Sequence, residues 1–190
     1  ANAELATRNI ARSCVHPNAH LDLMAIGAQP GELKLFRSDS NLGDHRLFDD
    51  GTSRAASLVR VESLDSLYRG GDALPTVVKS DTQGSEGKLL QGATELLATG
   101  WRPVWLLEFW PYGLSNSGSD AWSIWQQLHG LGYRMFEVSE GNPALVELDE
   151  ARVRHRLATD ITVESTGFIN ILALPNGGDR IELVQDMIRA

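Results

Sequence analysis

Apolar and polar positions along the chain change period several times, and each change marks an element. The sharpest change lies between Thr76 and Trp110. Val77 and Val78 open a short apolar run that ends in Lys79, Ser80 and Asp81. Gly84 then turns the chain. From Ser85 onward Leu89, Leu90, Ala93, Leu96 and Leu97 fall at i, i+1, i+4, i+7 and i+8, one face of a helix. Glu86 stands in its first turn, where the helix dipole favours a carboxylate. Gly100 stands where a C-terminal cap is expected. Val104 to Phe109 is apolar except for Glu108, the pattern of a buried strand. Strand, helix and strand form a βαβ unit, which predicts two parallel neighbouring strands.

The rest of the chain carries weaker periods. They predict a helix over 1–12, a strand over 20–28, and a return strand over 32–36 after the Pro30–Gly31 turn. Residues 38–57 are rich in Ser, Asn, Asp and Gly and read as a long loop. A short strand over 58–61 and a short helix over 63–68 follow, with Asp65 as a cap. Residues 111–118 read as a loop. Residues 120–131 read as a helix, with Trp122, Trp125, Leu128 and His129 at spacings of three and four. Strands are expected over 134–138 and 168–174, paired antiparallel. A short helix over 148–157 and an amphipathic tail over 181–188 complete the pattern. Together these predict one α/β domain over 1–190.

Composition narrows the partners. The net charge is -8 and the pI about 5.1, which speaks against a nucleic-acid backbone as partner. The chain has one cysteine, Cys14, so no internal disulfide forms, and no Cys/His cluster has zinc spacing. No metal is expected. A reducing, cytoplasmic location fits that cysteine usage. No run approaches a membrane span and no signal segment opens the chain. Met24 is the first methionine, which points to a processed product, an excised domain or a fragment.

Candidate chemistry gathers at one sheet edge. Asp81 ends one predicted strand and Glu108 nearly ends the next. Ligands of open α/β sheets bind beyond the carboxyl ends of the strands; the plainer alternative is two loop acids in solvated or capping roles. Trp110 and Tyr112 either wall a substrate pocket or pack the loop that follows. His45, in Asn41-Leu42-Gly43-Asp44-His45-Arg46, is either an acid/base group, suited by an ordinary pKa of about 6.5, or a solvated loop histidine. Asp44 can orient it only if the loop bends. Arg152, Arg154, His155 and Arg156 form either a solvated face or a contact for phosphate or an acidic substrate. Gly84-Ser85-Glu86-Gly87-Lys88-Leu89 is no phosphate-binding loop. Its glycines are three apart rather than five, and Leu89 stands where a Ser or Thr must bind magnesium.

Lys79, Asp81, Gly84, Glu86, Leu90, Gly92, Ala93 and Glu108 together resemble the pattern of the FkbM family of S-adenosylmethionine-dependent methyltransferases. Ser80 departs from it, since the family carries an apolar residue there. The resemblance extends more weakly from Ala1 to about Val138. It implies a Rossmann-like class I methyltransferase sheet, mostly parallel with a C-terminal antiparallel hairpin. It implies O-methylation of a hydroxyl on a glycan or other secondary metabolite. Ala25 and Ile26 would border the adenine, and Asp81 and Gln83 would face the methionine or acceptor end. His45 would be the base, since a Gly-Asp-His-Arg stretch also occurs in some members. Glu108 would hold the acceptor or orient a neighbour. No Gly-x-Gly-x-x-Gly turn follows any strand, so the first two strands of such a sheet are expected to be absent, as in an N-terminally truncated domain. The rival expectation is a non-catalytic α/β binding or interaction module without a complete cofactor site.

Overall fold

Two sheets divide the chain between them. The computed structural model describes residues 2–13, 18–139, 141, 144–177 and 179–189; Cys14 lies outside them. Strands β1 (Ala25–Ile26), β2 (Gly31–Arg37) and β3 (Ala55–Glu62) form a sheet in the order β1-β3-β2. Strands β4 (Val77–Ser80), β5 (Val104–Phe109), β6 (Tyr133–Val138), β7 (Leu145–Glu147), β8 (Ile169–Pro175) and β9 (Ile188–Arg189) form a second, in the order β4-β5-β8-β6-β7-β9. β1 and β4 end their sheets, each with one edge unpaired among the described residues.

The βαβ reading holds at its centre. β4 and β5 are parallel neighbours, and β8 lies antiparallel to β6, as the 134–138 and 168–174 runs predict. The larger sheet is mixed rather than mostly parallel. β4–β5 and β7–β9 run parallel, while β5–β8, β8–β6 and β6–β7 run antiparallel. The strand expected over 20–28 shortens to β1, and the return strand pairs with β3 instead of with it. β3 runs the full length from Ala55 to Glu62 and offers seven registered partners to β2, so it wins that pairing.

Helices α1 (Asn2–Arg12), α2 (Leu64–Leu67), α3 (Glu86–Gln91), α4 (Thr94–Ala98), α5 (Pro111–Asn116), α6 (Ala121–Gly130) and α7 (Glu150–Thr159) connect and cover the strands. The helix expected from Ser85 to Gly100 breaks into α3 and α4 at Gly92 and Ala93. The break has a cause. A Cβ on Gly92 would overlap the Gly27 carbonyl oxygen, and Asp65 caps the new helix start by accepting from the Glu95 and Leu96 N–H groups at 3.0 and 2.9 Å. Residues 111–116 are helical rather than looped, with Pro111 at the first position, where its missing N–H costs nothing.

The main core lies on one face of the larger sheet. Trp105, Leu107 and Phe109 of β5 are buried against Leu89, Leu90, Ile124, Trp125 and Leu128 of the helices. Trp105 donates its indole N–H to the Tyr133 hydroxyl (3.1 Å), which donates to the Pro103 carbonyl (3.0 Å). Glu108 belongs to the opposite, half-buried face of β5. Among the described residues no helix is long and apolar enough to cross a membrane.

Candidate functional site

The turn after β4 is built from four consecutive contacts. Ser80, the one buried residue of β4, has its hydroxyl 3.3 Å from that of Thr82. Thr82 donates its N–H (2.8 Å) and its hydroxyl (2.7 Å) to Glu86 Oε1. Gln83 takes a left-handed backbone, φ 53°, and Gly84 follows at φ 98°. Gly84 is pressed on the backbone of Gly113, where no side chain fits, and its carbonyl accepts from the Ser117 hydroxyl. This pins the β4 turn to α5.

The turn throws the Gln83 amide outward. Its Nε2 donates to Asp81 Oδ1 (3.1 Å) and to Glu108 Oε1 and Oε2 (3.3 and 3.1 Å). Asp81 is exposed and also pairs with Lys79 at 3.2 Å. Burial pushes the Glu108 carboxyl up to about 7, with the charges of Asp81 and Glu86 adding to the rise. Burial likewise raises the Glu86 carboxyl, against the hydrogen bonds from Thr82.

Beyond Glu108 lies a cleft of about 420 Å³ lined by Asn41, Asp44, Arg46, Gln83, Glu108, Trp110, Tyr112, Thr166 and Phe168. Its walls come from both parts of the chain. β5 and α5 supply Glu108, Trp110 and Tyr112. The loop between β2 and β3 supplies Asn41, Asp44 and Arg46. Trp110 is buried, donates its indole N–H to the Thr166 carbonyl (3.0 Å), and sits 5.3 Å from the Tyr112 ring. Arg46 lies over Trp110 at 4.9 Å and over Phe48 at 5.5 Å. Its Nε donates to Asp44 Oδ1 (2.6 Å) and its Nη1 to Asp50 Oδ2 (2.6 Å). Arg54 closes the group on Asp44 Oδ2 at 2.8 Å. For Asp44, desolvation acts upward, but the hydrogen bonds from Arg54 and Arg46 outweigh it and hold the carboxyl below its ordinary value.

The sequence-expected residues are therefore only partly brought together. Asp44, Gln83, Glu108, Trp110 and Tyr112 share the cleft, with Asp81 tied to it through Gln83. His45 does not line it. Its Nδ1 accepts from the Ser38 N–H at 3.2 Å, and Asp44 serves Arg46 and Arg54 instead of orienting it. Arg46, Arg54 and Asp50 were not among the expected residues; the only local sign of them is the density of Asp and Arg in the 44–54 stretch. Arg154 is exposed and pairs with Glu150, as a solvated face would have it, whereas Arg156 is partly buried and pairs with Glu137 and Asp160. No group of three His, Cys, Asp or Glu side chains with metal-binding placement occurs among the described residues.

The residues assigned to S-adenosylmethionine fall apart. Ala25 lines a different, mostly apolar cavity of about 430 Å³ between α1 and the three-stranded sheet, with Leu21, Leu23, Leu35 and Val59. Ile26 packs against the main core. Neither residue lines the cleft that holds Gln83 and Glu108. The residues expected to border the two ends of one cofactor therefore do not share a cavity. Comparison with known protein families, curated proteins and solved structures finds no match to the chain.

Proposed function

We propose that this chain carries the acceptor site of an S-adenosylmethionine-dependent O-methyltransferase acting on a hydroxyl of a glycan or other secondary metabolite. One observation carries the reading. A carboxylate, Glu108, stands near the carboxyl end of β5, beside its parallel neighbour β4, at a cleft walled by Trp110, Tyr112 and Phe168. The methyl donor is named by the resemblance to the FkbM family. The order β4-β5-β8-β6, with β8 antiparallel between β5 and β6, supports a Rossmann-like sheet of that class.

Within the cleft the chain's own residues have definite tasks. Glu108 accepts the proton of the acceptor hydroxyl, which a carboxyl titrating near 7 can do at neutral pH. Gln83 holds that carboxylate and offers an amide edge to the ligand. Trp110 and Tyr112 fix the plane of the ligand. Aligning the acceptor in this way is itself a large share of such catalysis, about 7–11 kcal/mol in favourable cases. His45 is left out of the proton path.

A second reading, a binding module without methyl transfer, is favoured by the separation of Ala25 and Ile26 from the cleft. The deciding experiment supplies S-adenosylmethionine with a labelled methyl group and a panel of hydroxylated sugars and metabolites. Methyl transfer that falls about 100-fold in Glu108→Gln supports the enzyme. A folded chain that binds a panel member but neither transfers label nor binds S-adenosylhomocysteine supports the module.

A further inference from the structure

We propose that Glu86 is a positioning residue of the cleft: from beneath the turn it holds, through Thr82, the Gln83 amide that bridges Asp81 and Glu108. The inference rests on the reading of Glu108 as the working carboxylate.

Glu86 is among the most buried side chains in the protein, at 1% exposure. A carboxyl placed there is costly unless it is used. Its place in the first turn of α3 suggests a role in the helix dipole, but an exposed acid would serve that without being buried. Its partners point elsewhere. Oε1 takes both donors of Thr82, while Oε2 has no partner among the described residues. Thr82 immediately precedes Gln83, whose left-handed backbone is one that L side chains rarely adopt. Gly84 is pinned from the far side by Gly113 and Ser117. Glu86 on one side and α5 on the other therefore fix the conformation that aims Gln83.

The charged groups facing Glu108 come from four places. Lys79 belongs to β4 and Asp81 follows it directly; Glu86 comes from α3; Asp44 and Arg46 come from the loop across the cleft; Tyr112 comes from α5. Burial is the main cause of the raised Glu108 carboxyl, and the charges of Asp81 and Glu86 add to it. The Gln83 hydrogen bond and Lys79 oppose it. Glu86 therefore acts on Glu108 with two signs. Its charge raises the proton affinity, and its support of Gln83 lowers it.

Two substitutions separate those signs. Glu86→Gln keeps an acceptor oxygen for Thr82 and removes the charge. Thr82→Val removes the hydroxyl donor and leaves the Glu86 charge. The test is a carbon-13 NMR titration of the Glu108 carboxyl, assigned by its disappearance in Glu108→Gln. The expected result is a midpoint shifted to lower pH in Glu86→Gln and to higher pH in Thr82→Val. A midpoint unmoved in Thr82→Val, in a protein whose other resonances show it folded, overturns the positioning role even if Glu86→Gln does not fold. The readout needs no turnover. Opposite shifts without any methyl transfer support the positioning role and count against the enzyme reading. Glu108-dependent transfer with unmoved midpoints does the reverse.

Discussion

The two walls of the cleft are held by different physics. The wall on β5 and α5 stands on a core in which Trp105, Leu107, Phe109 and Leu114 are almost fully buried. The wall on the 38–54 loop has little such backing. The three-stranded sheet behind it leaves Leu58 at 65% exposure, Leu23 nearby is at 73%, and α1 buries no residue. What holds that loop is charge: Arg46 and Arg54 interlocked with Asp44 and Asp50, and one guanidinium laid on Trp110. Packing is non-directional and tolerant of pH. A charge lock depends on both partners staying ionised. The same cleft therefore has one face whose supports respond to solution conditions and one whose supports do not, whatever its lining carboxylate does.

The largest expected effect sharpens this contrast in stability. Trp105→Ala removes a fully buried indole with a satisfied N–H and is expected to cost about 3–5 kcal/mol, measured by urea unfolding. Leu5→Ala on α1, a residue 43% exposed, is expected to cost less than about 0.5 kcal/mol. Equal losses would erase the distinction between the two regions. Next in size, Arg46→Met removes the central cation and leaves Asp50 with Arg54, at 3.4 Å, as its one ion-pair partner among the described residues, beside its hydrogen bonds from Thr52. The expected cost is about 2–3 kcal/mol, with faster amide hydrogen exchange confined to the 38–54 loop and unchanged exchange in β5, β8 and β6.

The pH dependence of the two walls should have opposite sense. The Glu108 carboxyl is raised in the folded protein, so its contribution is fully present below the ordinary glutamate value of 4.5 and is lost as pH rises through about 7. Glu108→Gln is accordingly expected to stabilise the protein by about 1–2 kcal/mol at pH 8, after allowance for its partial exposure. Near pH 4 it should change little. Asp44 and Asp50 are lowered, so their contribution is present above the ordinary aspartate value of 3.8 and is lost as pH falls below it. Melting curves across pH 3–8 for the parent and Glu108→Gln check both limbs; a parent curve flat from pH 5 to 8 would contradict the Glu108 limb. The smallest effect belongs to His45→Gln. It is expected to leave stability within about 0.5 kcal/mol and the Glu108 titration unmoved.

How far the sequence could be read follows the same division. The stretch from β4 to β5 was legible because its period switches from extended to helical and back over a short span, and Asp81 and Glu108 were placed at one edge from that alone. The break between α3 and α4 was hidden because its cause, the Gly27 carbonyl against Gly92, lies far away in sequence. The helical start at Pro111 had a local sign, a proline that fits the first helical position. The four-charge lock had none strong enough. Nothing in the order Asp44, Arg46, Asp50, Arg54 says that these side chains converge, or that the guanidinium of Arg46 lands on an indole more than sixty residues away. Asp44 was expected in the site beside His45, and it lines the cleft in a different role.

The contact between Gly92 and Gly27 acts as a spacer gauge. The Gly92 carbonyl accepts from the Asp65 N–H at 2.7 Å, and the absent side chain lets the Gly27 backbone lie against the break between helices. One methyl group added there would work as a shim, wedging the three-stranded sheet away from α3 and α4 and carrying the 38–54 loop with it. The mouth of the cleft could then be widened from behind, by a residue that touches none of its lining.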